Sequence, residues 1–308
     1  IGYSSLLSNY TSSSNVAIGS FTLSNNTGST ANYNIAIGCS ALNKNTTGWS
    51  NIAIGANALY SNKSSNYNIA IGTTALLCSS GSSANENIAI GNSALQRNID
   101  GYKNIAIGSS SLFCNICSYN NIAIGECALY HNTGSTASYN IAVGLCSLFS
   151  NKQGQNNIAI GCASLKNNVS GNNNVAIGNL SLSSNVTGCE NVAIGCYSLP
   201  NNTSGNYNVA IGCNTLRGNT TGNYNIAIGE SVLQANSTNS NNVGVGAYAL
   251  YNSTGIGNVA IGAPSLFHIT SGCYNVGVGN GTGQNITTGC YNVFIGYKYM
   301  NIYHPKYT

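Results

Sequence analysis

Asn51-Ile52-Ala53-Ile54-Gly55 is the stretch on which the reading of this chain turns. Variants of it begin at Asn15, Asn34, Asn51, Asn68, Asn87, Asn104, Asn121, Asn140, Asn157, Asn174, Asn191, Asn208, Asn225, Asn242, Asn258, Asn275 and Asn292, which makes 17 copies. The steps between them are 17 residues, apart from three of 19 and one of 16. Self-similarity at such a period marks a repeat architecture, so the 308 residues are read as one series of stacked units and not as two globular domains.

Counted from the lead Asn, positions 2 and 4 are always Ile or Val. Position 3 is Ala except at Gly244, Gly277 and Phe294, and position 5 is always Gly. Position 9 is Leu until Gly283 and Met300, and position 12 is usually Asn, often leading into Thr or Ser and Gly as in Asn45-Thr46-Thr47-Gly48. The first five positions alternate, which is strand periodicity: β-branched side chains point one way, Ala and Gly the other. The expectation is that the β-branched pair fills the interior. Gly then ends the strand and turns the chain. A second short strand carries the Leu, and the Asn-x-Thr-Gly segment supplies the closing turn. A helix is excluded by the recurrent Gly and the β-branched pairs at spacing two.

One such unit cannot bury its own apolar side, but stacked copies can. With rungs ~4.8 Å apart, the series predicts a rod on the order of 80 Å long. The longer steps bring extra residues before the next lead Asn, as in Gly28-Ser29-Thr30-Ala31-Asn32. These should bulge from one turn and leave the core ladders in register. The solenoid is expected over residues 1–296, with 297–308 an irregular C-terminal cap or assembly segment. Ile1-Gly2 reads as the end of a further Asn-Ile-Ala-Ile-Gly, which suggests a fragment or a processed chain.

The Val/Ile-Ala-Ile-Gly core resembles the repeats of trimeric autotransporter adhesin heads of the YadA type. Closer still is its similarity to the Asn-x-Ala-Ile-Gly-x-x-Ala-Leu-x-x-Asn-Thr-Thr-Gly repeats of phage and large-virus fibre proteins. The likeness covers essentially all of residues 1–296. It implies an all-β, left-handed parallel β-roll or β-solenoid, assembled as a trimer and carried at an extracellular, cell or virion surface. The rung here, at about 17 residues, is longer than the adhesin repeat.

Assembly is also argued from the residues. If positions 2 and 4 point inward, Ala36, Ala53, Ala70, Ala89, Ala106 and Ala123 form a smooth outward stripe. A long apolar patch of that kind marks an interface, here with further copies of the same chain. Head-to-tail stacking into a filament is a second mode.

Only 5% of residues are charged, and the net charge of +4 is scattered without a cationic run. Nucleic acid is therefore not an expected partner. No apolar run approaches the ~20 residues of a membrane span. Glu86, Asp100, Glu126, Glu190 and Glu230 offer no carboxylate pair across a cleft, and His131, His268 and His304 lie far apart. Catalysis, a metal centre and a cofactor are not expected.

The 12 cysteines include one close pair, Cys114 and Cys117, without a second pair at zinc spacing. Three other pairs occupy the same position in adjacent rungs: Cys127 with Cys146, Cys196 with Cys213, and Cys273 with Cys290. A ~4.8 Å stack lies within the Cα range that a disulfide tolerates, ~4.4–6.8 Å, so inter-rung staples are expected there, and with them an oxidising setting. Cys39, Cys78, Cys162 and Cys189 have no obvious mates and could pair between chains.

Asn9, Asn45, Asn62, Asn168, Asn185, Asn202, Asn219 and Asn236 stand in Asn-x-Ser/Thr sequons. Two readings exclude each other at each site: an edge carrying N-glycans, or an inward, turn-capping Asn ladder. Tyr33, Tyr67, Tyr207 and Tyr224 precede lead Asn residues and are candidates for contact with a surface glycan; the alternative is packing over the turn below. The functional expectation is a structural fibre protein with an adhesive role. Alternatives are a self-assembling extracellular filament without a receptor and, more remotely, an ice-binding solenoid, which would need a Thr array on a strand.

Overall fold

A computed structural model of the chain describes residues 1–297. Lys298 to Thr308, and with them nearly all of the expected C-terminal cap, lie outside the described residues. The fold is an all-β parallel solenoid with rungs of about 17 residues, and no helix occurs among the described residues.

Two compact units divide the chain, Ile1–Asn174 and Val175–Thr308. The first contains β1 (Val16–Ile18), β2 (Ile35–Ile37), β3 (Ile52–Ile54), β4 (Ile69–Ile71), β5 (Ile88–Ile90), β6 (Ile105–Ile107), β7 (Ile122–Ile124), β8 (Ile141–Val143) and β9 (Ile158–Ile160). The second contains β10 (Val175–Ile177), β11 (Val192–Ile194), β12 (Val209–Ile211), β13 (Ile226–Ile228), β14 (Val243–Val245), β15 (Val259–Ile261), β16 (Val276–Val278) and β17 (Val293–Ile295). Within each unit every strand pairs in parallel with the next, like residue on like residue. Ile52 faces Ile69, Ala53 faces Ala70 and Ile54 faces Ile71; in the second unit Val192, Ala193 and Ile194 face Val209, Ala210 and Ile211. The long rungs do not disturb this register: β4 and β5 still set Ala70 on Ala89.

The strand faces the opposite way from the sequence expectation. Ala36, Ala53, Ala70, Ala89, Ala106 and Ala123 are all fully buried. The Ile and Val residues beside them are only partly covered and look outward. The alternation was legible, but its sense depends on what stands across the interior. The Leu column does: Leu42, Leu59, Leu76 and Leu95 are 0% exposed. A Cβ added at Gly277, in the Ala column, would fall 2.8 Å from Cγ of Leu266. So narrow a coil holds one large side chain per rung opposite a methyl group, and β-branched pairs do not fit as well.

The second expected strand is also absent. After the strand the chain curls through a turn in which Gly55 has φ +131°, Asn57 +55° and Leu59 +52°. Left-handed conformations at non-Gly residues cost about 1 kcal/mol or more each and persist only where the surroundings fix them. Here the rung-to-rung ladder fixes them, because it continues through the turns. Ser40 N donates to Ser20 O at 2.9 Å, Leu42 N to Ala58 O at 3.0 Å, and Lys44 N to Tyr60 O at 3.0 Å. The Gly column has a further constraint. A Cβ on Gly55 would meet the carbonyl oxygen of Gly72 at 2.6 Å, so no side chain fits between these rungs.

Two Asn ladders close the interior. In the lead column, Oδ1 of Asn51 accepts from Asn68 N at 2.9 Å and from its Nδ2 at 3.3 Å. Nδ2 of Asn51 donates to Ser65 O at 2.9 Å. In the second column, Nδ2 of Asn62 donates to Asn45 Oδ1 at 2.8 Å and to Ser65 O at 3.0 Å. Where the column continues, an amide spans adjacent rungs and ties its own turn, so most of these buried polar groups are satisfied by their own repetition; Asn62 Oδ1, which faces Ser79, is an exception.

Candidate interaction surfaces

Three features of the surface follow from this geometry: an apolar stripe, a row of stacked rings and a set of exposed thiols. The stripe consists of the outward residues of the strands. Ile124 is 38% exposed and Ile160 39% in the first unit, and Ile261 is 44% exposed in the second. With a strand in every rung, each unit carries two parallel columns of Ile and Val on one side of its coil. The assembly face assigned to Ala in the sequence thus belongs to the β-branched residues instead.

The aromatic residues before the lead Asn stand at the surface. Tyr33 is 64% exposed and Tyr67 51%, and Tyr207 and Tyr224 are also exposed. In-register stacking brings the rings together: Tyr207 and Tyr224 lie 4.8 Å apart and almost coplanar in orientation, at 2°. Tyr102 and Tyr119 stack at 4.7 Å, one position earlier in the rung. The Tyr207 and Tyr224 rings therefore pack on each other, and both remain exposed. The carboxylate of Glu190 beside Tyr207 pushes its phenol above the ordinary tyrosine range, with Tyr224 adding to the effect. Glu230 does the same to Tyr248, whose hydroxyl donates to Glu230 Oε1 at 3.4 Å.

Sequence reasoning passed over a second aromatic row, just after the Leu column. There Phe113, Tyr130 and Phe149 stack at 4.9 and 5.2 Å, and Tyr251 stacks on Phe267 at 5.1 Å. The signal was available in the shared repeat position, but the column also holds Lys166, Ser183 and Arg217, which dilutes it.

The 12 cysteines form no disulfide, so the expected staples Cys127–Cys146, Cys196–Cys213 and Cys273–Cys290 are not formed. The register does bring partners together. Cys273 N donates to Cys290 Sγ at 3.1 Å, and burial, then the neighbouring Cys146, raises the pKa of the Cys127 thiol. What parallel stacking does not supply is Cβ convergence. It holds like Cβ atoms near the ~4.8 Å rung spacing, whereas a disulfide needs ~3.5–4.5 Å.

The sequons resolve towards structure. Asn45, Asn62, Asn168, Asn185, Asn202, Asn219 and Asn236 are fully buried, and ladder bonds such as Asn45 Nδ2 to Asn26 Oδ1 at 2.8 Å occupy their amides. A buried, donating amide has no room for a sugar, so the glycan-edge expectation fails at these seven positions. Asn9 is only half-buried, but its Nδ2 donates to Ser12 O at 3.1 Å. Among the described residues no group of three or more His, Cys, Asp or Glu is placed to hold a metal ion. No helix among them is long and apolar enough to cross a membrane.

No family model matches this chain, and no curated protein matches it.

Proposed function

We propose that this chain is a structural β-solenoid of a surface fibre, assembled side by side with copies of itself through the Ile/Val stripe and carrying an adhesive role. The left-handed coil and the trimer that the repeat resemblance implies belong to the same reading, as does an extracellular, cell-surface or virion setting. The observation that supports it most is the stripe. Partly exposed Ile and Val recur on the same face of strand after strand, and a contiguous apolar patch of this kind usually marks an interface. The identity of rung on rung favours a fibre over a globular binder, since each added unit presents the same face in the same register.

Light scattering on the purified chain tests the assembly. The expected mass is a small integer multiple of the chain mass, three by the resemblance. A strictly monomeric species at micromolar concentration would overturn the side-by-side reading. The same uniform rungs are compatible with end-to-end stacking, and negative-stain microscopy separates the two: discrete particles support the fibre segment, and indefinite filaments the matrix reading. The ice-binding alternative draws no support, because the outward strand positions are Ile and Val and not Thr.

A further inference from the structure

The first long rung carries a feature that the solenoid does not require. Three rungs hold two extra residues, at Gly28-Ser29-Thr30-Ala31, Gly81-Ser82-Ser83-Ala84 and Gly134-Ser135-Thr136-Ala137. In each the chain bulges outward and the following Ala31, Ala84 or Ala137 returns to full burial. The Gly and the buried Ala recur because the fold needs them. The rings beside them do not recur. Tyr33 corresponds to Glu86 and Tyr139, and Trp49 to Tyr102 and Gln155. Only at the first bulge do a Tyr and a Trp flank the same opening, and that Trp is the only one in the chain.

There Ser29, Thr30, Asn32, Tyr33 and Trp49 line an open pocket of about 420 Å³, within the range of small-molecule sites. Its walls are held in place. Asn32 accepts from Ser13 N at 2.6 Å, donates from Nδ2 to Ser29 O at 3.2 Å, and receives Ser50 N on its own carbonyl at 3.0 Å. Thr30 Oγ1 donates to Thr47 O at 3.2 Å. Trp49 is anchored through its backbone N–H, which donates to Asn66 Oδ1 at 2.9 Å, and Tyr67 braces its ring edge-on at 4.4 Å.

We infer that this pocket is a subsite for a neutral sugar, taking one pyranose ring of a surface glycan against Trp49 and Tyr33. None of its five lining residues carries a charge, which disfavours an anionic or cationic ligand. A pyranose has an apolar C–H face and a rim of hydroxyls. Two aromatic side chains match the face, and the hydroxyls and amide of Ser29, Thr30 and Asn32 match the rim, without rearrangement of a wall already bonded in place. The site lies on the turn edge and not on the Ile/Val stripe, so it stays open whether or not that stripe is covered. The inference gives the adhesion reading a ligand class and rests on that reading for its biological purpose.

The single Trp is its own reporter. Emission is followed while maltotriose, cellotriose or chitotriose is titrated into the full chain, with the indole N–H resonance and calorimetry in parallel. A saturable change with at least one of the three is expected, with a Kd on the order of 1 mM for a single open subsite. Calorimetry should then show about a tenfold or greater loss in Trp49→Ala and in Tyr33→Ala. Circular dichroism establishes that each variant is folded; Tyr33, largely exposed, serves if Trp49→Ala does not fold. No change in emission or in the indole resonance by about 20 mM sugar with any of the three overturns the inference. So does binding that persists undiminished in the folded variants. Failure of the assembly reading is seen separately: a parent chain that is strictly monomeric by light scattering and still binds sugar removes the side-by-side fibre and leaves the subsite.

Discussion

Ser79 stands in the second Asn column and interrupts it. The preceding amide, Asn62, has no partner for its Oδ1, and the Ser79 hydroxyl is buried without one. On the far side, Asn98 Nδ2 donates to Gly101 O at 2.8 Å. The same position in the third long rung is Asn132, which donates to Asn115 Oδ1 at 2.9 Å and to Ala137 O at 2.8 Å. Ser79→Asn should therefore reconnect the ladder and stabilise the protein by about 1 kcal/mol, read as a higher urea midpoint at unchanged slope. Asn132→Ser should create the same break and destabilise by about 1–2 kcal/mol. A second exchange at this scale conserves volume. Gly244 stands in the Ala column, and the methyl it lacks would collide with Val232, in the preceding rung at a place usually held by Ala or Ser. Gly244→Ala alone should cost about 1–3 kcal/mol by overpacking. Val232→Ala alone leaves a small void. The double variant should be more stable than the sum of the two predicts, with a coupling of about 1 kcal/mol or more in a double-mutant cycle. Gly283 and Phe294 make a similar exchange, a ring filling the place of a missing Leu.

At the scale of the rung, strand, lead Asn, Gly turn and period were all legible, because each is a local property of the repeat. Which side of the strand faces inward was not. Period-two alternation is symmetric between the faces, and hydrophobicity argues for Ile inside. The deciding quantity is the width of the coil, fixed by Leu59 and its counterparts in left-handed turns that residue statistics would place in a strand. The ladders explain why such turns survive, since strained residues such as Ser40, Leu42, Asn57 and Leu59 donate their backbone N–H to a carbonyl of an adjacent rung. Tolerance to change should follow the same division. Deleting Ser82 and Ser83 removes the second bulge downstream of the Leu turn and leaves Ala84 and Ala89 to seat as in an ordinary rung. The expected result is a folded protein within about 1 kcal/mol of the parent by chemical denaturation. Deleting Asn92 and Ser93 instead shortens the turn between Gly91 and Leu95 and pulls Leu95 out of its column. That variant should lose cooperative unfolding in its unit, since a displaced register misplaces every side chain after it.

For the whole molecule, the composition leaves one question open: with only 5% charged residues, what keeps so many outward Ile and Val residues apart from one another? Side-by-side assembly answers it by covering them, and the reversed facing of the strand makes the proposal sharper than an Ala stripe would have been. The outward and inward faces of the strand can be perturbed independently. Ile107 and Ile160 point outward, so Ile107→Lys and Ile160→Lys should leave the folding stability of the separated chain within about 0.5 kcal/mol of the parent. Each should lower the mass found by light scattering towards that of a single chain, because a lysine in a close-packed apolar interface is left charged and unpaired. Ala106→Val reverses the pattern. It keeps the outer face intact but overfills the interior at about 1–3 kcal/mol, so it should lower the melting temperature and preserve the assembly mass of whatever remains folded. If the lysine variants keep the parent mass while Ala106→Val loses it, the interface lies elsewhere. The stripe would then need another cover, such as a partner of different sequence.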